Sequence, residues 1–144
     1  MITAEQEFPG VATSAQLARA FVASLVVDSR LRDAAVLAVG ELAANAIRHS
    51  RSGLPGGTFS VYVEVELGWD DATQACTYVE VTDQGGGVIP LGGPELAGHA
   101  VGGRGLGIVR ALTDEWGVIS RCDCHVVWGR LYSASALQGL AAMS

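Results

Sequence analysis

The chain has 144 residues, 49% of them hydrophobic, which is material for one core in one domain; no apolar stretch, 21–27 included, approaches the ~20 residues that a membrane helix needs. Its 15 acidic residues outnumber its 9 basic ones, for a formal net charge of −6, and no basic run stands out, so direct nucleic-acid binding through phosphate neutralisation is not expected. All nine basic residues are Arg, and without Lys neither a Walker phosphate loop nor a eukaryotic-type kinase strand can be present.

In chain order, the first dozen residues, with Phe8, Pro9 and Gly10 in a polar setting, are expected to lead in as an extended arm. Thr13 or Ser14 can cap a helix, with Gln16 placed three after Thr13 as in a capping box. That helix is expected to run to about residue 27 with Leu17, Phe21 and Leu25 in its buried stripe. Asp28 or Ser29 caps a second, longer helix ending near residue 50, and the breaker SGLPGG (52–57) follows. Val61, Val63, Val65 and Leu67 alternate with polar residues and predict a half-buried strand. After the turn WDDATQ, residues 76–82 alternate again, so the two strands form an antiparallel hairpin. A Gly- and Pro-rich loop covers 88–101, a short helix starts at 105, and strands are expected at about 117–121 and 125–132. The last ten or so residues read as a loose tail or a helical turn. The fold class is α/β, a two-layer α/β sandwich: a mostly antiparallel mixed sheet with helices on one face. One domain should span 1–144, with its core at about 8–132.

Three segments carry chemistry. Glu41, Asn45 and His49 lie four residues apart on the second helix, hence on one side of it. The neighbours Leu37, Val39, Leu42, Ala43, Ala46 and Ile47 read as core-facing. A carboxylate and a carboxamide beside an apolar stripe need partners, because leaving such groups buried and unsatisfied costs roughly 1–3 kcal/mol each. Glu41 can polarise an attacking water or hydroxyl, and Asn45 offers a hard oxygen to magnesium. His49 closes the polar row, favours the helix C-terminus by charge, or faces solvent. The second segment is DQGGG. Asp83 at a strand end can accept the exocyclic amine of adenine, while Gly85 and Gly87 permit close backbone approach; the same letters also spell an ordinary turn. The third is GGRGLG, where Gly103, Gly105 and Gly107 introduce the apolar run begun by Leu106. Free amides at a helix start suit phosphate, and Arg104 adds a cation. The dinucleotide fingerprint fails, because Ile108 stands where its last Gly belongs. Together the three segments point to bound ATP and magnesium.

Cys76, Cys122 and Cys124 are an odd set, so structural disulfides are not expected. Cys122, Cys124 and His125 are close in sequence but lack the four ligands and spacing of a structural zinc site. The plainer reading is a strand end with buried thiols.

These motifs resemble the ATPase superfamily shared by gyrase, a heat-shock chaperone, histidine kinases and mismatch-repair proteins (GHKL, the Bergerat fold). Within it the chain is similar to the short anti-sigma-factor serine/threonine kinases. Their E-x-x-x-N helix motif is met by Glu41, Asn45, Ala46 and His49; their D-x-G-x-G box by Asp83, Gly85 and Gly87; their second glycine box by Gly103, Gly105 and Leu106. The FPG of residues 8–10 and the VVWGRL of 126–131 also look like the family's ends, so the likeness covers roughly 8–132. The resemblance implies helices on one face of a sheet, Glu41 as general base, Asn45 on magnesium, Asp83 reading adenine, and cofactors ATP and Mg. It implies phosphorylation of a Ser or Thr on a small antagonist protein, with a sigma factor as the alternative occupant of the same region, in a cytoplasmic partner switch. A homodimer would follow from the same likeness. The loop between the glycine boxes departs from the pattern in lacking Lys, which leaves Arg104 as its phosphate cation. Phosphoryl transfer rests on electrostatic stabilisation of the transferring group. The alternative expectation is therefore a non-catalytic ATP-binding module that sequesters its partner. A detached histidine-kinase catalytic domain is a third reading, though no helix bearing a phospho-accepting His is evident.

Overall fold

β-branched residues at every second position place the sheet's buried face. The computed structural model describes residues 1–68, 74–86 and 106–133. Strand β1 spans Ile2–Pro9, β2 Thr58–Leu67, β3 Gln74–Asp83, β4 Glu115–Ser120 and β5 His125–Tyr132; helix α1 spans Ser14–Leu25, α2 Ser29–His49 and α3 Leu106–Leu112. A single 3-10 turn, Arg51–Gly53, follows α2. On β2 the side chains of Phe59, Val61, Val63 and Val65 are buried. Val61 faces Val81, Val63 faces Val79 and Val65 faces Thr77 on β3, and Val127 and Leu131 continue the same face on β5. Each such branched side chain contributes roughly 1.5–3 kcal/mol by leaving water.

The strands run in the order β1-β2-β3-β5-β4. Every pairing between neighbours among the described strands is antiparallel, so the expected mixed character is not found. The helices supply the second layer. Ala35, Ala38, Ala43 and Ala46 of α2 are buried together with Val39 and Leu42, and their small size lets a long helix lie close against the valines. Ala18 and Val22 of α1 and Leu106 and Val109 of α3 complete the one core.

Four expectations need correction. The N-terminal segment is not a lead-in arm but the edge strand β1, registered against β2 from Ile2 opposite Val65 to Pro9 opposite Thr58. Phe8 anchors it, stacked on Phe59 at 5.5 Å between ring centres. The buried line of α1 is Ser14, Ala18 and Val22, one position on from the predicted stripe; Leu17 is 55% exposed, and Phe21 and Leu25 are only partly buried. Leu37 of α2, expected in the core, is 46% exposed. The Thr13 side chain makes no capping hydrogen bond, whereas Asp28 caps α2 as expected, accepting from the amides of Arg30 and Leu31. The β2–β3 connection, the 88–101 loop and the C-terminal tail lie outside the described residues.

Candidate nucleotide site

Packing of the opposite side sets the polar row of α2. Gly40, Leu42, Ala43 and Ala46 are buried, and this turns Glu41, Asn45 and His49 to the helix margin, where all three are half-buried. Among the described residues the side chains of Glu41 and Asn45 make no hydrogen bond or ion pair. One helical turn therefore presents a carboxylate and a carboxamide together, with their polar atoms open to a ligand.

The C-terminal end of α2 is fastened to the turn that follows β3. Ser50 Oγ donates to the Ala46 carbonyl at 2.7 Å and accepts from the Ser52 amide at 3.0 Å, closing the helix. From the 3-10 turn, the Arg51 amide donates to the Gly85 carbonyl at 2.7 Å. The Gln84 amide donates to Ser52 Oγ at 3.0 Å, and Ser52 is fully buried. Gly86 has φ +83°, and a Cβ there would stand 2.6 Å from Arg51 Cγ. The second polar segment is thus held against the end of the first.

Asp83 is the last residue of β3, directly across from His125 of β5. Its Oδ1 accepts from the Gly85 amide at 2.7 Å and from the His125 amide at 3.1 Å. His125 Nδ1 stands 3.5 Å from the same oxygen, with both side chains nearly buried. Among the described residues every contact of this carboxylate falls on Oδ1, which fixes the plane of the group. Gly85 has φ +71°, and a Cβ there would come within 3.2 Å of the Asp123 carbonyl and the Cys124 nitrogen. The β4–β5 hairpin tip therefore lies against the Asp83 turn.

Glu41, Asn45 and His49 share one side of α2, and the contacts of Arg51 and Ser52 hold the end of that helix against the turn of Gln84 and Gly85 that follows Asp83. Leu106 opens α3 as a buried residue, and Gly107 follows with open space where a Cβ would be. Gly87, Gly103, Arg104 and Gly105 lie outside the described residues. Sequence reasoning missed Ser52, Arg51, Gly86 and His125. The first three follow a helix end and a turn with nothing to mark them; His125 emerges only from the cross-strand register.

Among the described residues no cluster of three or more His, Cys, Asp or Glu can hold a metal ion. The expectation of buried thiols at the hairpin fails as well, because Cys122 is exposed and Cys124 partly so. Desolvation, helped by the charge of Asp123, pushes the Cys124 thiol above its ordinary pKa. Among the described residues no helix is long and apolar enough to cross a membrane.

A five-stranded antiparallel sheet with helices on one face is the architecture of the histidine-kinase-like ATPases. The model of the histidine kinase-like ATPase domain matches residues 3–129, and the chain belongs to that family. It is accordingly an ATP-binding domain of the GHKL superfamily. No curated protein matches the chain closely enough to add a relative.

Proposed function

We propose that the protein is an ATP-dependent serine/threonine kinase of the anti-sigma-factor type, acting on a small antagonist protein in a partner-switching pathway. One observation carries the reading: Glu41 and Asn45 stand one turn apart on α2, half-buried and unpartnered among the described residues, on the helix whose following turn is hydrogen-bonded to the segment after Asp83. Oδ2 of Asp83 accepts the adenine amine. Asn45 holds magnesium, whose preference for hard oxygen donors and retained waters fits a carboxamide with solvent at hand. The ion, when bound, neutralises charge on the phosphates. Glu41 takes the proton of the acceptor hydroxyl as its oxygen forms the new bond to the γ-phosphorus and the bond to the β-phosphate oxygen breaks, leaving ADP. The phosphate loop supplies Arg104 as its cation.

The test is incubation with γ-labelled ATP, magnesium and antagonist proteins encoded beside the gene. Label should appear on a Ser or Thr of one of them, and Glu41→Ala should reduce its rate roughly 10²–10⁴-fold, the range for loss of a general base, while ATP affinity stays near wild type. A protein that binds ATP but labels none of these partners, with Glu41→Ala leaving sigma-factor capture unchanged, would instead be the non-catalytic module.

A further inference from the structure

The sheet has a second face that no described helix covers. Strand parity assigns it Glu5 and Glu7 of β1, Glu64 and Glu66 of β2, Glu80 of β3 and Glu115 of β4. Among the described strand residues the one basic side chain set against these carboxylates is Arg130 of β5, opposite Glu115 and Tyr78 in the register, and Met1 lines the groove beside it. This face therefore concentrates most of the chain's net charge of −6.

It is also aromatic. Tyr62, Tyr78 and Trp128 form a continuous row, with ring centres 6.3 Å and 5.8 Å apart. The guanidinium of Arg130 lies 5.1 Å above Tyr78 and 5.7 Å from Trp128. The surface thus already receives one guanidinium in the stacked mode that suits this group better than an ammonium. Beside Arg130 a groove of about 290 Å³ is lined by Glu64, Glu66, Tyr78 and Tyr132 among others. Tyr62 donates to Glu64 at 2.6 Å and Tyr78 donates to Glu80, which orients both carboxylates along the sheet.

We infer that this face docks an arginine-rich, extended polypeptide segment of a partner protein. Glu5 and Glu7, like Glu64 and Glu66, recur at every second residue, a spacing of roughly 6.6 Å along a strand. An extended segment with Arg at alternate positions presents its guanidinia at the same interval. Those side chains pair with the four carboxylates and stack on the tyrosine row. A second copy of this chain is a poor occupant, because it would bring one acidic face onto another, and like charges directly opposed are destabilising. The inference is independent of the nucleotide reading, since the face lies across the sheet from α2.

Fluorescence anisotropy with a labelled peptide of alternating Arg and Ser tests it, alongside a peptide of the same composition with its Arg in one block. The alternating peptide should bind saturably and more tightly than the block peptide, and weaken steeply with added salt. Glu64→Gln with Glu66→Gln should weaken it roughly tenfold, the modest loss expected when two surface ion pairs are removed. Asp33→Asn, an exposed charge on α2, should leave affinity unchanged, and Arg130→Gln should tighten it by freeing the rings. Equal binding of both peptides, equal weakening by Asp33→Asn per charge removed, or absence of saturable binding by a folded protein would overturn the inference. So would sedimentation showing a dimer that Glu64→Gln with Glu66→Gln tightens, which would make a second copy the occupant.

Discussion

Asp83 shows how a single group can be aimed by its neighbours. Two backbone amides and the imidazole of His125 all converge on Oδ1, so a carbonyl oxygen must remain there in any functional replacement. Asp83→Asn can satisfy both amides only with its oxygen in the Oδ1 place, which turns its NH₂ toward the base. On the proposed reading, an acceptor for the adenine amine then becomes a donor that opposes it. ATP affinity should fall about 10–100-fold, the range of one mismatched polar contact in a closed site. Affinity for inosine triphosphate, with an oxygen at that ring position, should fall much less. Equilibrium titration with both nucleotides checks this, and parallel losses would remove Asp83 from base recognition. Gly85→Ala makes a second probe, since its left-handed φ strains any side chain and a methyl 3.2 Å from Asp123 would need the hairpin to give by a few tenths of an ångström. It should cost about 1–2 kcal/mol from the backbone alone and displace Asp83 with it, so thermal stability and ATP affinity should fall together.

At the level of elements, the 3-10 turn after α2 ties helix to sheet. Ser52 is fully buried, and its Oγ is the acceptor for the Gln84 amide. Ser52→Ala leaves that amide unpaired, at roughly 1–3 kcal/mol, or several degrees in Tm for a chain of this size. Ser52→Thr keeps the acceptor but adds a methyl to a filled site, so a smaller loss is expected if the hydrogen bond dominates; calorimetric Tm values for the two variants decide. This joint was invisible in the sequence, because a Ser-Arg-Ser-Gly run after a helix carries no signal of a contact with residues 83–86. What the sequence did disclose had short-range causes. Alternating valines on β2 and β3, the Asp28 cap and the span His125–Tyr132 all depend on neighbours within a few positions. Edge strand β1 was missed since its outward residues are Glu and Thr and its inward ones include Ala4 and Gln6, so it alternates weakly. Pairing with β2 and the seat of Phe8 against Phe59 make it a strand. The line chosen for α1 went astray for a related reason: Leu17 is larger than Ala18, but the sheet sits too close for a leucine there. In the candidate site the E-x-x-x-N row and the Asp-Gly turn were legible as residue types. Their junction depends on contacts across more than thirty residues, which no local pattern encodes.

Across the whole molecule the two sheet faces differ in kind, and this asymmetry has a consequence for stability at alkaline pH. On the open face burial lifts the Cys76 thiol from its usual 9.0 to about 11, with Arg130 opposing and Glu66 assisting. The hydrogen bond to Glu64, then desolvation, raises the Tyr62 hydroxyl from 10.0 to about 12. Tyr78 is raised further still, first by burial and then by Glu80. Each of these acids holds its proton more tightly in the folded chain than in the unfolded one. Their stabilising contribution is thus complete below the unfolded values and is lost as pH climbs to the folded ones. The unfolding midpoint in urea should be flat in this respect up to about pH 9. It should then fall between about 9 and 11 as Cys76 in the unfolded chain ionises, and more steeply beyond 10 as the tyrosines join. Cys76→Ala should flatten the first part of that decline while leaving the second, and Tyr62→Phe should leave the first and lessen the second, with Tyr78 carrying the remainder, whatever each does to the midpoint at neutral pH. Added salt should lessen the slope by screening Glu64 and Glu80 from the phenols, but not the part that comes from burying Cys76. A decline that neither substitution alters would place the alkaline sensitivity elsewhere in the chain.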